Sequence, residues 1–72
     1  MTENELEFVI FCVESIASQY NMNASAVYNK LSRESNIINN YIIPCYDALH
    51  TQDKNYIVND IIGVMNDRGV NI

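Results

Sequence analysis

The chain has one proline, two glycines, no tryptophan and a single histidine among its 72 residues. Two glycines are too few for the glycine-rich loops that cradle phosphates, so a nucleotide-binding loop is excluded. His50 has no cysteine pair or acid cluster near it in the sequence, so no zinc site can be assembled around it. A nucleophile and its base would have to be Cys12 or Cys45 with His50. Cys45 precedes the histidine by five residues, but no oxyanion-stabilising turn accompanies the pair. The expectation is a non-enzyme with no cofactor and no metal, in which His50 closes the free carbonyls of a helix end.

Positive charge is also scarce. Four Lys and Arg face nine Asp and Glu, for a formal charge of −5. Glu3, Glu5, Glu7 and Glu14 all precede the first base, Lys30. Such a field repels phosphate backbones and attracts basic protein surfaces. Nucleic acid is therefore not expected as a ligand. Long apolar runs are missing too: the longest, Phe8 to Val13, is far short of the roughly 20 residues of a membrane span. The acidic N-terminus lacks the basic region of a signal or transit peptide. A cytoplasmic protein with no membrane partner is expected. Cys12 and Cys45 each lie in apolar segments and read as reduced thiols in or near the core, with a Cys12–Cys45 disulfide as the alternative.

What the chain does have is apolar residues, 49% of the total, at helical spacing. Its length suits one domain, residues 1–72. Leu6, Val9, Ile10, Val13, Ile16, Ala17 and Tyr20 define one face of a helix over about residues 3–20. Asn21 suits the left-handed position just past its end. Asn23 caps a second helix, about 24–33, whose inner stripe is Ala24, Val27, Tyr28 and Leu31. Met22 and Val27 stand at the spacing of a hydrophobic staple across that cap.

Ser35 or Asn36 can cap a short piece, about 36–42, that turns Ile37, Ile38, Tyr41 and Ile42 inward. Pro44 ends it and can open another, about 44–50, carrying Cys45, Ala48 and Leu49. Asp53 caps a last helix, about 54–68, with Ile57, Val58, Ile61, Ile62 and Met65 inward. Arg68 lies at its negative end and Gly69 stops it. No segment alternates with period two over a strand's length. The fold class is all-α: a compact bundle of three longer helices and one or two short pieces.

Phe8 and Phe11 lie opposite the main stripe of the first helix, with Ser15 and Ser18 continuing that side. Either this is a central helix covered on both sides, or the two rings form an aromatic patch that docks a partner or a second copy. Tyr41 is placed at the core edge, Tyr46 and Tyr56 at the surface. The candidate interaction surface is Phe8, Phe11, Ser15, Tyr46, His50 and Gln52. Its expected partner is another protein, a basic surface being favoured by the charge, or a second copy of the chain. A helix-turn-helix DNA-binding regulator is a competing reading, because the first two helices and their Asn21-Met22-Asn23 turn have a suitable size. Asn29, Lys30 and Arg33 offer it little, and the four glutamates oppose it. A self-associating structural protein is a third reading.

Four segments carry a family resemblance: Glu7-Phe8-Val9-Ile10-Phe11-Cys12-Val13-Glu14; Ala26-Val27-Tyr28; Tyr41 through Pro44-Cys45-Tyr46 to Leu49-His50-Thr51-Gln52; and Tyr56-Ile57-Val58-Asn59-Asp60-Ile61. Together they resemble the short bacterial proteins of the domain-of-unknown-function family numbered 3791. The Pro, Tyr and Leu-His-Thr-Gln stretch is the most specific part. Where that family often has glycine after the glutamine, this chain has Asp53. The resemblance implies no catalytic residue. It implies genes beside those of ADP-ribosyltransferase-like proteins, and hence an accessory or antitoxin-like partner.

Overall fold

The computed structural model describes residues 1–72. Helix α1 spans Glu3–Gln19, and α2, Ala24–Asn29, runs directly into a π-helical turn, Lys30–Glu34. A second π-helical turn, Ile38–Ile42, leads to the short α3, Tyr46–Leu49, and then to α4, Lys54–Asp67. There is no strand, and the bundle measures 25 × 21 × 20 Å. The all-α architecture of three longer helical stretches and two short ones is the one the apolar spacing predicts.

Local chemistry sets most helix ends. Thr2 and Glu5 form a capping box: the threonine hydroxyl accepts from the Glu5 amide at 3.1 Å, and the Glu5 carboxylate accepts from the Thr2 amide at 2.8 Å. The Asn23 side chain accepts from the Ser25 amide at 2.7 Å, and that of Asp53 from the Tyr56 amide at 2.8 Å. Two helices end in the same way. Asn21 (φ 54°) and Gly69 (φ 75°) take left-handed conformations. Behind them the Met22 amide reaches Ala17 O at 2.8 Å and the Val70 amide reaches Met65 O at 2.9 Å. These are Schellman closures, and the second one folds the tail back so that Val70 is buried. Asp53→Ala removes the cap of α4 and is expected to cost about 1 kcal/mol. The check is a urea titration in which the midpoint falls and the slope does not change.

The middle of the chain departs from expectation. The π-turn Ile38–Ile42 has no side-chain cap of its own, and of the two candidates only Ser35 acts at its approach, where its hydroxyl accepts from the Ile37 amide at 3.4 Å. Asn36 instead adopts φ 54° and links the two π-turns. The Ser35 hydroxyl turns back to donate to Lys30 O at 2.7 Å, because the widened turn leaves that carbonyl within reach of a residue five positions on. Pro44 does not open a helix. It lies in the turn before α3, which begins only at Tyr46. Of the three residues this piece carries, Leu49 is buried, Cys45 half-buried and Ala48 exposed.

The core draws on every element. Ile16, Val27, Leu31, Ile37, Ile42, Val58 and Ile61 have no exposed surface, and Ile57 and Met65 almost none. On α4 the predicted stripe holds, with Ile62 only half-buried. On α1 it does not. The buried residues are Phe8, Val9, Cys12, Val13, Ser15, Ile16 and Ala17, an arc centred on Ile16. At about 100° per residue this arc lies about 60° round from the predicted stripe, on the Cys12 side. Leu6, Ile10 and Tyr20, expected inside, are exposed at 48%, 48% and 38%.

Candidate functional site

The rotation of α1 separates the two phenylalanines. Phe8 goes into the core at 8% exposure, and Phe11 stays outside at 41%. Seen from Ile16, Phe8 is about 80° and Phe11 about 140° from the centre of the buried arc. Phe8 is covered because Tyr46, at the start of α3, meets it edge-on at 5.5 Å and 81°. Phe11 stacks on Phe8 at 6.3 Å. His50 lies flat on Tyr46 at 4.3 Å and 6°. Four of the six residues assigned to a surface from sequence thus form one row: Phe11, Phe8, Tyr46, His50.

Only the two ends of that row face solvent. Phe8 is core, and Tyr46, expected at the surface, is half-buried against it. Ser15 is buried at 5%, because the same rotation carries it inward. Gln52 is exposed beyond the row. The patch of two exposed phenylalanines is therefore not formed. His50 Nδ1 faces Tyr46 O at 2.8 Å. A carbonyl only accepts, so Nδ1 carries the proton. The ring adds a second donor to Tyr46 O, which already accepts the His50 amide at 2.9 Å, so it does not close a free helix-end carbonyl as the sequence suggests.

The thiols are free. Burial pushes the Cys12 thiol up to about 12 from its ordinary 9.0, and Cys45 is half-buried. A thiol reagent at neutral pH is expected to modify Cys45 first, with Cys12 reacting only as the fold opens. Mass spectrometry of the singly modified protein checks this. Tyr41 lies at the core edge, where its hydroxyl donates to Asp60 Oδ2 at 2.5 Å. That bond, and burial after it, raise the phenol above its ordinary value of 10.0. Both groups fold in their neutral forms, so their contribution is complete below the ordinary values. It is lost as pH climbs past 9 and then past 10 towards the raised folded-state values.

The surface that α1 leaves uncovered lies on its other flank. Leu6 and Ile10 on α1 and Ala24 and Tyr28 on α2 line an open groove of about 400 Å³, with Val9 and Val13 as its floor. Tyr28, expected in the inner stripe of α2, is 51% exposed here. Glu14 stands at the α1 rim, and Ser25 and Asn29 line the α2 side. By helical angle Glu3 and Glu7 continue the Glu14 rim, all three within about 60° of Ile10. The groove is apolar inside, acidic along one edge and uncharged along the other.

The family model described as "Protein of unknown function (DUF3791)" matches residues 7–68. No curated protein and no solved structure matches the chain. The match covers most of the chain, and the protein belongs to that family.

Proposed function

We propose that this member of the family is a non-catalytic protein-interaction module, working in the cytoplasm as an accessory or antitoxin-like partner of an ADP-ribosyltransferase-like protein encoded nearby. One observation carries the reading. Leu6, Ile10 and Tyr28 keep 48%, 48% and 51% of their surface exposed around a single groove in so small a chain. Large apolar residues gathered at one open site mark contact surfaces, whereas the same residues scattered singly would mean nothing. The arrangement of titratable groups agrees with a non-catalytic role. Cys12 is sealed, His50 is occupied with a carbonyl, and Tyr41 and Asp60 satisfy each other. Free thiols suit a reducing compartment.

The test is co-expression with the adjacent gene product, followed by size-exclusion chromatography with light scattering. A stoichiometric complex is expected with the wild-type chain. Ile10→Glu is expected to abolish it with the helical circular dichroism unchanged, since Ile10 is already half outside. No complex, or one that Ile10→Glu leaves intact, overturns the reading.

A further inference from the structure

We infer that the groove between α1 and α2 receives an amphipathic helix whose apolar stripe is flanked on one side by lysine or arginine. This rests on the interaction-module reading and names the chemistry of the partner segment. Leu6 and Ile10 lie one helical turn apart, and Glu14 one turn further. The lined length of α1, Leu6 to Glu14, is about 12 Å at roughly 1.5 Å per residue. That accommodates about two turns of a second helix, enough for apolar anchors at i, i+3 or i+4, and i+7. Tyr28 forms the opposite wall; an aromatic ring there gives a large contact area with little rotamer freedom to lose.

Charge selects among the possible occupants. The α1 rim carries Glu14, with Glu3 and Glu7 on the same outer ridge of the helix, and none of the four Lys and Arg lines the groove. A helix lying against Leu6 and Ile10 brings one flank along this ridge. Lysine or arginine on that flank gains, and glutamate or aspartate is repelled. The opposite flank meets Ser25 and Asn29 and has no sign preference. A second copy fits this rule poorly, because α1, its most apolar-faced helix, would bring its own acidic ridge against the first. The chain's net charge of −5 adds to that repulsion. A basic helix of a different protein is the occupant that matches both the apolar floor and the acidic rim.

The experiment uses three fluorescein-labelled helical peptides that share one leucine stripe and carry lysine, glutamine or glutamate on one flank. Each is titrated with the full chain in an anisotropy assay at low salt. The lysine peptide is expected to bind more tightly than the glutamine peptide by roughly tenfold, from a few surface-exposed charge pairs, and the glutamate peptide weakest. Glu7→Gln with Glu14→Gln is expected to erase the lysine advantage, and Ile10→Glu to remove binding of all three. Equal binding of the three peptides overturns the charge-selected partner while leaving a docking groove in place. No binding by any overturns the inference, and the co-expression experiment then judges the module reading separately. Dimers in light scattering of the chain alone that Ile10→Glu dissolves would overturn it in favour of a second copy.

Discussion

Phe8→Ser is expected to unfold a large fraction of the protein, whereas Phe11→Ser leaves it folded. The two residues are three apart on one helix, and from sequence they share a side. Their environments differ. Phe8 retains 8% of its surface, packs within the core cluster and is closed off by the Tyr46 ring. Truncating a buried phenylalanine costs about 3–5 kcal/mol, and a chain of this length has a total stability of roughly 4–11 kcal/mol. The midpoint of thermal unfolding should fall by roughly 15–30 °C. Phe11, exposed at 41%, loses little more than its stack on Phe8. Its replacement should cost at most about 1 kcal/mol. Melts followed by circular dichroism separate the cases. Equal losses for the two variants would mean that α1 is not rotated as described.

The second large effect is expected at Ile61. It has no exposed surface and sits mid-way along α4, the helix that packs directly on α1. Ile61→Ala opens a cavity beneath that contact, at a cost of about 2–5 kcal/mol. Ile61→Val, which deletes one methyl group, should cost about 0.5–1.5 kcal/mol. Ile62→Ala is the control. Ile62 is as apolar but only half-buried, so the loss should be clearly smaller than at Ile61. Urea titrations of the three variants give the order directly. A larger loss at Ile62 would put the wrong face of α4 in the core.

These expectations rest on different kinds of information. The ends of the longer helices are legible in the sequence because each depends on residues within a few positions of one another. Asn23 and Asp53 cap, and Asn21 and Gly69 turn left-handed, as their side chains or lack of one dictate. The Thr2 cap was equally available in the Thr2-Glu3-Asn4-Glu5 order, although a reading of apolar stripes passes over it. The inner face of α4 is legible for a related reason. Its other side is polar enough, with Asn59, Asp60, Asn66 and Asp67, that only one orientation buries the apolar residues.

The π-turns and the orientation of α1 were not legible. The π-turns have no local signature in Lys30–Glu34 or Ile38–Ile42, although they place Leu31, Ile38 and Ile42 in the core. Helix α1 is apolar over too much of its circumference for periodicity to choose. The stripe centred among Leu6, Val9, Val13 and Ile16 and the arc from Phe8 through Cys12 to Ile16 both follow helical spacing. What decides between them is distant in sequence: Tyr46 on α3 closes over Phe8, and no element closes over Leu6 and Ile10. By itself, then, the sequence determined an acidic all-helical domain and where most of its helices stop, because those properties are composition and nearest-neighbour chemistry. Only the tertiary structure decided which apolar flank of α1 is core and which is left open, because that depends on which helix arrives to cover it.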